Sequence, residues 1–266
     1  MSGHVVVATG FNREVACVRG LAGVVPVAGG GDPMALRRRL EAAAAGAAGI
    51  ASFGMAGALA DGLAIGDWVV ADRLAGAIEV ACDPAWARAL AAALPGARVG
   101  GFYADGRMID TVAEKLALGE RHRALGVDME SHVAAAVAAE RGLPFAIVRC
   151  VSDGARHLLP HAITVSMRPD GGVDARAMLA SLARRPAQAA DIARTAAGFA
   201  KAMRELKRGG QRLGPRLALT PELLPALRGG GPLALLGEWW RGLSNKGANC
   251  PPAPSVTRAS SRATSS

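Results

Sequence analysis

The sequence predicts an α/β fold, and three observations carry that expectation. Residues 5–9 (Val-Val-Val-Ala-Thr) form a short, largely β-branched apolar run that feeds a glycine, Gly10, and then a helix entry. Residues 145–151 form a second such run, preceded by an alanine-rich stretch with Val133, Ala136 and Val137 at helical spacing. At 266 residues and 51% hydrophobic content, the chain can bury the core of one sizeable α/β domain with an appendage.

Taken in order, residues 5–9 read as a buried first strand, and 10–15 as a turn and helix start. That geometry suits a phosphate or other ligand. There is no G-x-G-x-x-G, so a dinucleotide site is not indicated. Three glycines at 29–31 lead to Asp32, a natural N-cap, and Pro33, a natural first helical residue. Arg37, Arg38 and Arg39 point in different directions around the helix that follows and read as a solvated face. Residues 42–60 carry no charge and approach the length of a bilayer span. Gly46, Gly49, Gly54 and Gly57 break that run, so it reads as a helix end, a short strand at 50–53 and a glycine loop. Residues 66–72 form a structural strand segment, and Asp83-Pro84 opens a helix through Leu94. Residues 97–103 are another strand and 104–110 a turn with a helix entry. Lys115, in the next helix, reads as a surface lysine.

The stretch 126–153 organises the rest. Asp128 and Glu130 give a helix start with favourable dipole charges, and Gly142 stops that helix. The buried strand after Pro144 ends at Ser152-Asp153, just past its carboxyl end, where open α/β sheets place ligands. His157 in the following loop reads as solvated. Residues 167–173 read as a strand and turn, and helices are expected at 175–182 and 186–207, the second amphipathic through Ile192, Ala196, Phe199 and Met203. Composition then shifts to Pro, Gly, Ser and Arg. The expected organisation is one domain over 1–208 and a flexible basic tail over 209–266.

The net charge is 31 − 22 = +9. Seven Arg or Lys and two Asp or Glu after residue 208 place +5 of it in the tail, so the balance does not indicate nucleic acid. It is compatible with an anionic substrate or membrane surface. The tail also holds Trp239 and Trp240, which suit a membrane interface. The four cysteines show no metal-ligand or disulfide spacing, as expected of a reducing cytoplasm. The N-terminus lacks the basic region of a signal peptide.

Val127-Asp128-Met129-Glu130-Ser131 resembles the ribose-binding motif of the purine nucleoside phosphorylase and nucleosidase family, and Ser152-Asp153 resembles its base-recognition pair, in the family's order and spacing. Residues 128–132 and the Gly-Leu-Pro-Phe at 142–145 are most similar to hopanoid-associated phosphorylases, which remove adenine from adenosylhopane. The resemblance implies a three-layer αβα fold with a central mixed sheet. It assigns Glu130 to the ribose hydroxyls, Met129 to packing on the sugar, and Asp153 to protonating the base, oriented by Ser152. On this reading Asp153 must carry or share a proton, with burial raising its pKa. Phe145 is a further candidate substrate contact. Glu14-Val15 resembles the nucleosidases' water-orienting glutamate, while Arg13 suits an anion; as an isolated pair the two also read as solvated first-turn charges. Ser52, Gly54 and Gly57 match the family's Ser-x-Gly-x-Ala-Gly stretch and, with Arg13, are candidates for holding phosphate or another nucleophile. Ala104-Asp105-Gly106 departs from the family's Ser/Thr-Gly-Asp pattern.

The implied activity is phosphorolysis of a 5′-substituted adenosine, adenosylhopane first, with phosphate as co-substrate and no metal or organic cofactor. The expected partners are a nucleoside with a lipid-like 5′ substituent, phosphate, further copies of the chain and a membrane surface, with no nucleic acid. The expected location is the cytoplasm, at the inner membrane surface. One alternative is a methylthioadenosine/adenosylhomocysteine-type nucleosidase using water. Another is a non-catalytic nucleoside-binding protein, against which the presence of both Glu130 and Asp153 argues.

Overall fold

The computed structural model describes residues 3–157, 175–184, 189–220 and 222–223. The elements are β1 (His4–Thr9), α1 (Asn12–Val18), β2 (Val24–Ala28), α2 (Pro33–Ala43), β3 (Ala47–Ala58), β4 (Trp68–Gly76), β5 (Val80–Ala81) and α3 (Pro84–Ala93). There follow β6 (Arg98–Ala104), α4 (Val112–His122), β7 (Ala124–Asp128), α5 (Ser131–Glu140), β8 (Phe145–Asp153), α6 (Ala175–Arg184) and α7 (Ala189–Leu213).

The eight strands make one mixed sheet. β1 pairs in parallel with β2 and β3, and β8 lies parallel to β3 but antiparallel to β4. β6 runs parallel to both β4 and β7, and the end of β7 pairs antiparallel with the end of β3. The strands β3, β8, β4, β6 and β7 therefore form a closed ring, from which β1 and β2 extend. Side chains alternate between two cores. Val6, Ala8, Ile50 and Ile147 pack with α2 and α5 on one face; Val5, Val7, Phe53 and Val148 pack with α1, α3 and α7 on the other. Burial on both faces is why these strands read as unbroken apolar runs.

The caps follow the sequence. Asp32 accepts the Ala35 N–H at 2.9 Å, and Asp83 accepts those of Ala85 and Trp86 at 3.0 and 2.9 Å. Gly142 takes φ +60° after α5.

Two expectations are corrected. The glycines at 54 and 57 predict a loop, yet β3 runs through both. At Gly54, φ is +155°, and a Cβ would sit 2.6 Å from Arg149 Nη1 and 2.7 Å from Glu14 Oε1. Glycine here admits two side chains against an extended backbone rather than ending the strand. The uncharged run 42–60 is thus mostly strand, and among the described residues no helix is long and apolar enough to cross a membrane.

The second correction is the boundary at 208, which falls inside α7. Gly209 lies against the Trp68 ring and Gly210 against the Cys17 carbonyl, each closer than a Cβ would allow. Leu213, Leu217 and Leu219 are buried, and the Trp86 indole donates to the Leu217 carbonyl at 2.8 Å. Residues 209–219 therefore complete the domain. The strand expected at 167–173 and the tail with Trp239 and Trp240 lie outside the described residues.

Candidate active site

Three strand ends build the site. After β1 the chain turns at Gly10 into α1, which places Glu14 in the first helical turn, 1% exposed. Its carboxylate accepts three backbone N–H groups: Gly10 at 2.7 Å and Phe11 at 3.0 Å on Oε2, and Met55 at 2.7 Å on Oε1. After β7, Asp128 Oδ1 accepts the N–H of Glu130, the N-cap of α5, at 3.0 Å and of Ser131, its first residue, at 2.8 Å. Glu130 then points back to Gly10. A Cβ there would lie 3.2 Å from Glu130 Oε1 and 3.2 Å from Glu14 Oε2, so both carboxylates converge on this glycine.

Arg149 on β8 holds these acids together, and sequence reasoning missed it. It is 1% exposed and shares its face of β8 with Ile147 and Val151. Its Nη2 donates to Asp128 Oδ2 at 2.7 Å and to Ser52 Oγ at 2.6 Å, and its Nη1 to the Met55 carbonyl at 3.2 Å. Glu130 Oε2 lies 3.7 Å away. The hydroxyls of Ser52 and Ser131 share a 2.8 Å bond, and Ser131 also donates to Asp128 Oδ2. The one signal in the sequence is a lone charge inside an otherwise unbroken apolar run.

Burial raises the pKa of Glu14, against the opposing pull of Arg149 and of the N–H groups of Met55, Phe11 and Gly10. Burial also pushes Glu130 up to about 8; Arg149 opposes this, and the charges of Asp128 and Glu14 add to it. A folded-state value above the ordinary 4.5 means that the folded chain keeps a proton the unfolded chain releases. Stability contributed by this group is full below about pH 4.5 and is lost as pH rises toward 8. The melting temperature should therefore fall between pH 5 and pH 8, and Glu130→Gln should flatten that slope; an equal slope in the variant would contradict the assignment.

Asp153 lies at the end of β8. Its Oδ1 accepts the Ser152 hydroxyl at 2.8 Å, and a Cβ on Gly57 would sit 3.1 Å from Oδ2. Lys115 corrects the surface reading: it is 1% exposed and donates to Asp153 Oδ2, to the Gly154 carbonyl at 3.3 Å and to the His157 carbonyl at 3.2 Å. Asp153 thus has an ammonium partner where burial alone was expected to govern it. Lys115 falls where the resembled family often has a lysine, but its partner comes from β8, 38 residues away in sequence, so spacing alone reads it as a surface residue.

The remaining candidates divide. Met129 is half-buried between Asp128 and Glu130 in the chain. Ser52, Gly54 and Gly57 do come to the site, but the Ser52 hydroxyl serves Arg149 and Ser131, while the glycines make room for Glu14, Arg149 and Asp153. Arg13 is exposed on α1 and does not join them. Phe145 is a correction: it is fully buried in the core at the start of β8. It lies eight residue steps along the strand from Asp153, about 26 Å at the usual rise, so it is a packing residue. Asp105 is engaged by the Tyr103 hydroxyl at 2.9 Å and by Arg107. A cavity of about 630 Å³ lined by Asn12, Val27, Gly29, Gly30, Asp32 and Arg39 opens beside the acids; its lining includes none of Glu14, Glu130 and Asp153. Among the described residues no group of three or more His, Cys, Asp or Glu could hold a metal ion.

Residues 6–185 match the family model of the phosphorylase superfamily. No curated protein matches the chain. Among solved structures, the chain is similar to the 5′-methylthioadenosine/S-adenosylhomocysteine nucleosidase of S. pneumoniae with a transition-state inhibitor, at 18% identity and a TM-score of 0.54, covering 79% of this chain and 99% of that one. A Helicobacter pylori nucleosidase mutant with 5′-methylthioadenosine in its active site gives 16% identity and a TM-score of 0.51, covering 77% and 99%. The futalosine hydrolase of Helicobacter pylori strain 26695 gives 16% and 0.51, covering 77% and 98%. At these identities the likeness is one of fold.

Proposed function

The chain belongs to the phosphorylase superfamily, and from that premise we propose that it cleaves the N-glycosidic bond of a 5′-substituted adenosine with water as the nucleophile. The observation that carries this reading is the convergence of Glu14 and Glu130 on Gly10, around a single buried guanidinium. Breaking the bond builds positive charge on the ribose and negative charge on the base. Carboxyl oxygens fixed in a buried site can accept from the ribose hydroxyls and the attacking water, and a proton donor at Asp153 suits the departing base. Glu130 accepts the ribose hydroxyls. Glu14, already oriented by three N–H groups, keeps one acceptor site, on Oε1, for a water.

Phosphate is the less favoured nucleophile on this geometry. It would enter beside Glu14, Asp128 and Glu130, where Arg149 is already committed to Asp128, while Arg13 is exposed. The 5′ substituent rests on the likeness of residues 128–132 and 142–145 to hopanoid-associated phosphorylases, which supports a lipid-like group and makes adenosylhopane the first substrate to try.

The test is incubation with adenosylhopane, 5′-methylthioadenosine and inosine. Adenine release from either of the first two, with little cleavage of inosine, is expected. Tight nucleoside binding with no base released from any of them would overturn the reading and favour a binding protein.

A further inference from the structure

We propose that Lys115 and Asp153 share the proton that the departing base takes up. The inference rests on the reading above, in which Asp153 faces the base. Among the described residues, Lys115 has one of the few fully buried charged side chains, and its ammonium points to Asp153 Oδ2 and to the carbonyls of Gly154 and His157. Stability does not account for it. A buried ion pair contributes little over apolar residues of the same volume, and a lysine on α4 could reach solvent at no desolvation cost. The asymmetry of exposure points to a role: the Lys115 side chain is 1% exposed and that of Asp153 is 12%. Asp153 is the more exposed of the two, so Lys115 acts through Asp153, as a positioning residue that also supplies the proton.

The step balances as follows. A proton moves from Lys115 Nζ to Asp153, which becomes a carboxylic acid. As the C1′–N9 bond breaks, its electron pair goes to the base, and Asp153 passes the proton to base N7. Water held at Glu14 adds to C1′ and releases a proton, first to Glu14 and then to solvent. Asp153 ends as a carboxylate and Lys115 as a neutral amine, which takes a proton back from solvent after the base leaves, so no net proton is gained or lost. A carboxylate by itself is an acceptor only; the lysine is what gives this one a proton to deliver. Ser152, donating to Oδ1, fixes the carboxyl plane.

The experiment compares turnover of 5′-methylthioadenosine with that of its N7-methylated analogue, whose base departs without protonation. For Lys115→Met, kcat on the unmodified nucleoside should fall about 100-fold, the usual scale for losing an acid, and kcat on the methylated one should change by no more than a few fold. Equal loss on both, or no loss on either, overturns the inference and leaves the functional reading standing. If the wild type cleaves neither of these nor adenosylhopane, the functional reading falls and this inference with it. Should Lys115→Met fail to fold, Asp153→Asn is compared with Asp153→Asn/Lys115→Met. With the acid already gone, removing the lysine should cost nothing more on the unmodified substrate; a further loss of tenfold or more would show a purely structural lysine and overturn the proposal.

Discussion

Asp153→Asn is expected to slow adenine release by about 100-fold or more at saturating substrate, with the fold retained. Asparagine keeps the size of the side chain and can still accept the Ser152 hydroxyl, so the end of β8 should hold its shape. It cannot carry a proton to the base. It also removes the counter-charge of Lys115, so a lower melting temperature should accompany the kinetic loss. Turnover at saturation and circular dichroism check both parts. Wild-type turnover in a natively folded variant would remove Asp153 from the chemistry.

The second large effect is on stability. Arg149→Met should destabilise the protein by about 3–5 kcal/mol, the usual cost of removing one partner from a buried ion pair. The guanidinium is 1% exposed and faces Asp128, with Glu130 and Glu14 close by. Methionine fills part of the volume but leaves those acids uncompensated, which drives Glu14 and Glu130 further toward their protonated forms. Urea unfolding at neutral pH measures the difference. A loss below about 1 kcal/mol, the scale of an exposed pair, would mean that Arg149 is not the counter-ion of the site.

Much of the fold was legible because its strands are buried on both sides. β1 and β8 read as apolar runs, and Asp32-Pro33, Asp83-Pro84 and Gly142 mark helix ends through local chemistry. Glycine was where the reading failed. At Gly54 it signals side chains crowding a continuous strand, and at Gly209 and Gly210 it signals a helix pressed against Trp68 and Cys17. Both uses depend on distant partners, so local composition suggests a loop and a tail instead. The acids at 14, 128, 130 and 153 come from the ends of three strands and were visible as motifs. Their cations were not. Lys115 and Arg149 are set by contacts 38 and 21 residues away in sequence, Lys115 with Asp153 and Arg149 with Asp128. Phe145 shows the reverse error, a residue inside a motif whose place at the far end of β8 makes it core.

The account turns on water, held at Glu14, as the nucleophile. The most direct measurement is adenine release from 5′-methylthioadenosine in phosphate-free buffer, repeated with saturating phosphate and with Glu14→Gln. The account predicts full-rate release without phosphate, free 5-methylthioribose as the sugar product, and loss of release in Glu14→Gln. Release only with phosphate, yielding a sugar 1-phosphate, would contradict it.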